Sequence, residues 1–205
     1  MSYPIMVDIT NKQVVVVGGG KVAERKIRGL QEANANVIVV APEVTEYIQQ
    51  LANGGELVWR KKYFSPGDLE DAFLIIAATN NREINEAVAQ AAQPYQLINV
   101  VDAPTQSNFY VPSIVRRGKL TIAVSTEGAS PTLAKKICQE IAEMYDEDYG
   151  NYIDFLYECR QYILRNVSDS DKKQQLLQAI TGEEFRKSTN WEKEFRKLFE
   201  RVMGE

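Results

Sequence analysis

Short apolar runs alternate with helical patterns along the first hundred residues. The runs are rich in β-branched residues, and such runs are typical of parallel strands that are covered on both faces. They predict strands at 13–17, 37–40, 74–78 and 97–101, with 57–60 as a further candidate. Between them, apolar residues recur every three to five positions, as in an amphipathic helix.

Two of these helices have a clear apolar stripe. The first stripe consists of Val22, Ala23, Ile27, Leu30 and Ala33. The second consists of Ile84, Val88 and Ala91, and Asn81 before it is a suitable N-cap. Strands that alternate with helices in this way predict βαβ units and a parallel sheet.

The pattern changes after Asp102. Residues 110–116 and 120–125 predict two strands that are joined through Arg117-Gly118-Lys119 as an antiparallel hairpin. Ser130-Pro131 then provides an N-cap and a proline at the first helical position. The helix that follows has one apolar face, formed by Leu133, Ile137, Ile141 and Met144.

The rest of the chain is predicted to be helical, with breaks at 168–171 and 181–182. Three apolar stripes support this prediction. They are Tyr149, Ile153, Leu156 and Ile163; Leu176, Leu177 and Ile180; and Phe195, Leu198, Phe199 and Val202.

Composition narrows the class of protein. The apolar fraction is 44%, and 24 basic against 28 acidic residues give a net charge of -4. A general nucleic-acid binder would need a broad positive field, so we expect no nucleic-acid partner. The N-terminus does not resemble a secretory signal and no apolar stretch approaches membrane-spanning length, so we expect a cytoplasmic protein without a membrane partner.

The chain has no histidine, and its only cysteines are Cys138 and Cys159. This excludes a Ser-His-Asp or Cys-His catalytic group and the usual zinc ligands, so we expect no metal site. Both cysteines fall in predicted helices, and we expect buried, reduced thiols.

A glycine-rich segment follows the first strand and opens the first helix. Gly18, Gly19 and Gly20, followed by Lys21, Val22 and Ala23, fit the pattern G-x-G-x-x-A. In a Rossmann fold the first glycine of this pattern makes the tight turn, and the next lets the backbone approach a pyrophosphate at the helix N-terminus. The alternative is a glycine turn in an α/β protein that binds no nucleotide.

The end of the second strand bears on the choice of cofactor. Ala41-Pro42 stands where an acidic residue usually binds the ribose of NAD, and Glu43 follows two residues later. No Arg or Lys lies between Ala41 and Gln50 to pair with a 2′-phosphate. The sequence therefore favours NAD over NADP.

Two blocks of sequence resemble a known family. VVVVGGGKVAERK and the strand-end AATN, followed by NVVDAPTQSNFYVPSIVRRGKLTIAVSTEGASPTLAKKI, closely resemble the precorrin-2 dehydrogenases of the siroheme synthase family, over roughly residues 3–165. The second block is far more specific than the glycine segment, because NVVD, FYVPS and ST-x-G-x-SP-x-LA occur together and in order.

The resemblance implies an α/β subunit in three parts. These are an NAD-binding Rossmann domain at 1–112, a small α+β segment at 113–146 that forms a homodimer, and a helical C-terminal domain at 147–205. It also implies the reaction, in which NAD oxidises the tetrapyrrole precorrin-2 to sirohydrochlorin.

The resemblance further implies roles for individual residues. Cofactor contacts fall on the glycine segment with Lys21 and Val22, on Pro42 and Glu43, and on Thr79 in the strand-end AATN. The catalytic aspartate falls on Asp102. A serine of the family that can be phosphorylated in some relatives corresponds to Thr126, so regulation at this position is in doubt.

The residues themselves support a catalytic Asp102. It follows the carboxyl end of a predicted parallel strand, where open α/β sheets bind their ligands, and a carboxylate there can accept the proton that leaves the macrocycle. The alternative is a turn aspartate that stabilises the Asp-Ala-Pro bend.

A second feature is a concentration of positive charge. Residues 111–138 contain Arg116, Arg117, Lys119, Lys135 and Lys136, against one acid, Glu127. Arg116, Arg117 and Lys119, with Thr126, are candidate contacts for the carboxylates of the substrate. An ordinary solvated hairpin and helix explains the same charges equally well.

Two rival functions remain open at this point. One is a bifunctional enzyme that also inserts ferrous iron into sirohydrochlorin, although the absence of histidine disfavours it. The other is a regulatory module that only binds NAD(H) as a sensor. Such a function would not explain the second block of family resemblance, which begins at NVVD.

Overall fold

The computed structural model describes residues 2–204, apart from the side chain of Glu184. The chain divides into two compact units, Met1–Val111 and Pro112–Glu205. No helix among the described residues has both the length and the apolar character that crossing a membrane requires.

The first unit contains a five-stranded parallel sheet with the order β3-β2-β1-β4-β5. Its strands are β1 (Gln13–Val17), β2 (Asn36–Val40), β3 (Val58–Arg60), β4 (Leu74–Ala77) and β5 (Leu97–Val100). The predicted Rossmann-type parallel sheet is therefore confirmed, with strand ends within about one residue of those expected.

Helices cover both faces of the sheet. They are α1 (Lys21–Glu32), α2 (Glu46–Asn53) and α3 (Arg82–Ala91). Alternate residues of β1 point to opposite faces, so Val14 and Val16 pack in one apolar cluster and Val15 and Val17 in another. The first cluster includes Ile27 and Ile48 of α1 and α2, and the second includes Val88 of α3.

Two details of the helices differ from the prediction. The sequence did not reveal α2, which has only eight residues and two buried positions, Ile48 and Leu51, behind the N-cap Thr45. In α1, Val22 is 40% exposed and Ala33 lies just beyond the last helical turn, so neither belongs to the buried stripe.

The outer edge of β5 is covered by the segment that follows Asp102. Asn108 exchanges bonds with Ile98, whose N–H donates to Asn108 Oδ1 (2.8 Å) and whose carbonyl accepts from the Asn108 N–H (3.0 Å). The Val100 N–H donates to Ser107 Oγ at 2.9 Å. These bonds satisfy the backbone of an edge strand without adding a sixth strand.

The second unit begins with an antiparallel hairpin of β6 (Ser113–Arg117) and β7 (Leu120–Val124). β6 starts three residues later than predicted, after Pro112, which cannot donate to a ladder. The helices are α4 (Pro131–Met144), α5 (Asp148–Asn166), α6 (Ser170–Ala179), a short α7 (Glu183–Arg186) and α8 (Trp191–Met203). Ser130 caps α4 as expected.

The last four helices share one apolar cluster, which includes Cys159, Ile163, Leu176 and Leu198. On α5 the buried positions are Gly150, Tyr152, Cys159 and Ile163. Of the predicted stripe, Leu156 packs with Ile163 in this cluster, whereas Tyr149 and Ile153 do not belong to it, so their placement was wrong. Both cysteines are buried and form no disulfide. Burial raises the pKa of the Cys159 thiol to about 12.

Candidate functional site

The carboxyl ends of β1, β4 and β5 place three predicted site segments at one edge of the sheet. Gly18 follows β1, Thr79 lies two residues beyond β4, and Asp102 lies two residues beyond β5. β1 and β4 are neighbours although β2 and β3 separate them in sequence, so chain order reverses between them. Ligands of open α/β sheets bind at such a switch point.

The first two glycines are required by packing. Gly18 has a φ of +120°, and a Cβ on it would lie 2.4 Å from the carbonyl oxygen of Ala78. A Cβ on Gly19 would lie 2.1 Å from the carbonyl oxygen of Glu43. The motif leaves the second position free, but here the β2–α2 connection approaches too closely for any other residue.

Gly20 has different surroundings. A Cβ on Gly20 would have no atom within 4 Å, and Gly20 is the N-cap of α1 without a side-chain cap. The first backbone N–H groups of α1 therefore have no side-chain cap, and the space beside Gly20 is free for a ligand, as an anion site at a helix N-terminus requires. Lys21 and Val22 are exposed on the first turn of α1.

Pro42 and Glu43 are exposed on the connection between β2 and α2. The Thr45 N–H donates to the Gly19 carbonyl at 2.9 Å, which fixes this connection against the glycine segment. The structure thus brings Pro42 and Glu43 beside the glycines. These residues, with the open N-terminus of α1, fit a dinucleotide whose phosphates lie at Gly20.

Thr79 and Asp102 are joined through Asn85 of α3, a residue that the sequence analysis did not single out. Asn85 is 0% exposed. Its Nδ2 donates to Asp102 Oδ1 at 2.8 Å and to the Thr79 carbonyl at 3.2 Å. Its Oδ1 accepts from the Thr79 N–H at 3.1 Å and from the Thr79 hydroxyl at 2.8 Å.

Asp102 itself is exposed in a turn. The Ala103 N–H of the Asp-Ala-Pro bend donates to the Val100 carbonyl, and the Asp102 carboxylate accepts from Asn85. The carboxylate is therefore anchored at one oxygen by a buried amide and accessible from solvent, a suitable arrangement for a proton acceptor.

The candidate substrate residues lie in the second unit, and the partners of Arg117 and Lys119 there bear on their roles. Arg117 is only 15% exposed, and its Nε and Nη2 donate to the carbonyls of Tyr145 and Ala142 at the end of α4. Lys119 pairs with Asp154 of α5 but keeps a side chain that is 56% exposed. Arg117 thus closes a helix C-terminus, whereas Lys119 remains at the surface.

The other two candidates differ in exposure. Arg116 is exposed on β6, and Thr126 is half-buried after β7. The Thr126 Oγ1 accepts from the Ser130 N–H at 3.1 Å, so this hydroxyl helps to form the turn before α4. Among the side chains that the structure describes, which exclude that of Glu184, no three Cys, Asp or Glu residues come together as a metal site would require.

The fold and the site together define a nucleotide-binding oxidoreductase of the Rossmann class, and three family models match it in chain order. Residues 5–113 match an NAD(P)-binding family, residues 117–144 the central domain of sirohaem biosynthesis proteins, and residues 149–195 the SirC C-terminal domain.

Individual relatives narrow the class further. The precorrin-2 dehydrogenase of Priestia megaterium is 38% identical over 97% of this chain and 98% of its own length. That of Bacillus subtilis is 36% identical over 77% of this chain and 98% of its own length. The solved structure of SirC, a precorrin-2 dehydrogenase, has a TM-score of 0.85 and 36% identity, and covers 98% of this chain and all of its own. The chain belongs to the precorrin-2 dehydrogenase family, and it is a dehydrogenase with a nicotinamide-cofactor domain.

Proposed function

We propose that this enzyme oxidises precorrin-2 to sirohydrochlorin with NAD as the acceptor. The observation that carries the proposal is the exposed Asp102 carboxylate, which Asn85 anchors at the same sheet edge as the open N-terminus of α1. Siroheme synthases are also relatives, but this chain corresponds to only 39% of the length of one from Aeromonas hydrophila. The relatives that it covers almost fully are dehydrogenases.

The proposed chemistry removes a hydride and a proton from the substrate, which is two electrons and two protons in total. When bound, the nicotinamide cofactor accepts a hydride from a carbon of the macrocycle. Asp102 accepts the accompanying proton at Oδ2, since Asn85 holds Oδ1. The chain has no histidine that could take this proton.

Two observations support NAD over NADP. Exposed Glu43 lies beside the glycine segment, where a carboxylate can accept from ribose hydroxyls and repel a 2′-phosphate. Two basic residues at the end of neighbouring β3, Arg60 and Lys62, are both paired with Asp68. A comparison of NAD and NADP as acceptors at equal concentration tests this choice, and we expect NAD to be the better one.

For the polycarboxylate substrate we propose contacts from Arg116, Lys119 and Thr126. Lys119 is exposed enough to exchange Asp154 for a substrate carboxylate. We assign Arg117 a structural role instead, because its guanidinium already donates to backbone carbonyls at the end of α4.

We also propose a cytoplasmic homodimer. A two-stranded hairpin is marginal by itself, and the segment at 113–145 exposes Ile114, Leu133 and Met144. A two-fold interface centred there would cover these side chains. Reduced Cys138 and Cys159 suit the cytoplasm. Sedimentation that detects only monomer at micromolar concentration would contradict the dimer.

The test of the reaction is an anaerobic assay of NADH formation from precorrin-2, with the parent and with Asp102→Asn. The variant keeps the size of the side chain and an oxygen for Asn85, but it cannot accept a proton. We expect unchanged NAD binding and a turnover lower by about 10²- to 10⁴-fold. A loss below about tenfold would return Asp102 to a structural role.

Parallel assays separate the rival functions. A sensor would bind NAD without forming NADH. An arm with ferrous iron tests for siroheme, and we expect sirohydrochlorin to accumulate.

A further inference from the structure

We propose that Asn85 is a positioning residue for the reaction, which sets the orientation of the Asp102 carboxylate relative to the cofactor edge. This inference rests on the proposed function, because it assigns to Asn85 a role that acts through Asp102. Asn85 is buried on α3, outside the glycine motif and outside the two sequence blocks that resemble the family.

Both polar atoms of the Asn85 amide are hydrogen-bonded within the fold. A primary amide offers two N–H donors and two acceptor lone pairs. In Asn85 the two N–H groups donate to Asp102 and to the Thr79 carbonyl, and Oδ1 accepts from the Thr79 N–H. The single hydrogen of the Thr79 hydroxyl lies within reach of both Asn85 Oδ1 and the Asn81 carbonyl. Since Asn85 is fully buried, rotation of its side chain would leave several polar groups without partners.

The backbone of Thr79 fixes which end of the amide faces which way. A backbone N–H can only donate and a carbonyl can only accept, so Oδ1 must face the Thr79 N–H and Nδ2 the Thr79 carbonyl. The second N–H on Nδ2 then points to Asp102. Asn85 therefore presents a donor to the carboxylate and occupies Oδ1, while Oδ2 is left for proton transfer.

The same bonds connect Asp102 with the glycine segment. Thr79 follows Ala78, and the Gly18 backbone lies so close that a Cβ there would be 3.0 Å from the Thr79 nitrogen. Gly18, Thr79 and Asp102 follow three adjacent strands, and Asn85 is bonded directly to the last two. The Asn85 amide thus fixes the position of the Asp102 carboxylate relative to the end of β4, against which the glycine segment packs.

A double-mutant cycle tests this role. We would measure kcat and KM for precorrin-2 at saturating NAD for the parent, Asn85→Ala, Asp102→Asn and the double variant. We expect Asn85→Ala to lower kcat by at least about tenfold, as a misplaced catalytic group does, and to change KM much less. In the Asp102→Asn background the same substitution should lower kcat by less than about threefold, since residues that act as a unit are not additive.

Gln96→Ala is the matched control. Gln96 is also a fully buried amide with all its partners in the first unit, but it lies at the opposite edge of the sheet. We expect the control to lower stability and leave kcat per folded enzyme unchanged. If Asn85→Ala does not fold, Asn85→Ser takes its place, because its shorter side chain retains a hydroxyl near Thr79 but not the donor to Asp102.

The outcomes are distinguishable. Equal losses from Asn85→Ala in both backgrounds would overturn the positioning role and leave the proposed function standing. A loss below about tenfold for Asp102→Asn alone would overturn the proposed role of Asp102, and with it this inference. The positioning role is supported if Asn85→Ala lowers kcat strongly in the parent, which has Asp102, and only slightly in the Asp102→Asn variant.

Discussion

The two edges of the parallel sheet each contain a buried amide, and the two amides have different partners. At the amino-end edge, Gln96 Nε2 donates to the carbonyls of Leu69 and Ala72, and its Oε1 accepts from the Gln93 N–H. All of these partners are backbone groups of the connections themselves. At the carboxyl-end edge, Asn85 holds backbone groups of Thr79 but also an exposed carboxylate.

The difference follows from chain direction. All strands are parallel, so α1 and α3 begin at the carboxyl-end edge. Asn81 caps the first N–H groups of α3, whereas those of α1 have no side-chain cap. Helix ends and turns lie at the amino-end edge, and the Gln96 side chain forms hydrogen bonds with backbone groups of these turns. The same chemical group therefore stabilises the fold at one edge and, by our inference, orients a reactive side chain at the other.

Removal of the amino-edge amide has the largest expected effect. Gln96→Ala leaves the carbonyls of Leu69 and Ala72 and the Gln93 N–H without their partner. At about 1–3 kcal/mol for each unsatisfied group, partly relieved by water, we expect the free energy of unfolding to fall by about 3–5 kcal/mol. Urea unfolding of the parent and the variant measures this change in the free energy of unfolding. NAD affinity should not change, and a large loss of affinity would break the contrast between the edges.

A negative charge introduced at the carboxyl-end edge should have the reverse effect: NAD affinity falls while the stability of the fold is retained. Gly20→Asp places a carboxylate at the α1 N-terminus, where the cofactor phosphates are proposed to bind. Repulsion of about 1–4 kcal/mol should weaken NAD binding by roughly fivefold to nearly a thousandfold. The fold should be retained, because a Cβ meets no atom there and Asp is a good N-cap.

Gly20→Asn is the matched control for this prediction, since it has the same size and no charge. Calorimetry should find a much smaller loss of NAD affinity for Asn than for Asp. Equal losses would point to bulk rather than charge, and full affinity in both variants would reduce the glycine segment to a turn.

A smaller effect is expected in the connection that runs from the carboxyl end of β3 to the amino end of β4. There Asp68, which is nearly buried, bonds to Lys62, Arg60 and Ser65. Burial raises the pKa of this carboxyl, but the bonds from Lys62 and from Ser65 outweigh it and lower the pKa below its ordinary value of 3.8. The folded state therefore favours ionised Asp68.

Asp68→Asn should lower the free energy of unfolding at neutral pH by about 1–2 kcal/mol. Because the folded pKa is depressed, this stabilisation is complete above the ordinary pKa and is lost as pH falls through the folded value. Unfolding measured across pH should bring parent and variant together from about pH 4 downward. A gap that stays constant over that range would exclude ionisation as its cause.

The sheet and its ligand edge could be predicted because their signals are local. Runs such as 13–17 and 74–78 are short, apolar throughout and rich in β-branched residues, as buried parallel strands are, and the glycines follow one of them directly. Helix α2 escaped because two buried residues in eight make no visible stripe. The need for glycine at position 19 was also hidden, since it arises from Glu43 on another connection.

Asn85 left a signal that went unused. It precedes buried Val88 by three residues and follows the N-cap Asn81 by four, so helical periodicity places it on the inner face of α3. A polar residue at such a position needs buried partners. Its partner Asp102 is seventeen residues away, and only the tertiary structure identifies the pair.

The covering of β5 also determines how the sheet can grow. On one side, Asn108 and Ser107 already occupy the outward backbone groups of Ile98 and Val100, so an incoming strand would first have to displace them. On the other side, no strand among the described residues pairs with the outer edge of β3, where Val58 is 55% exposed. Intermolecular strand addition, including the kind that begins aggregation, is therefore directed to β3.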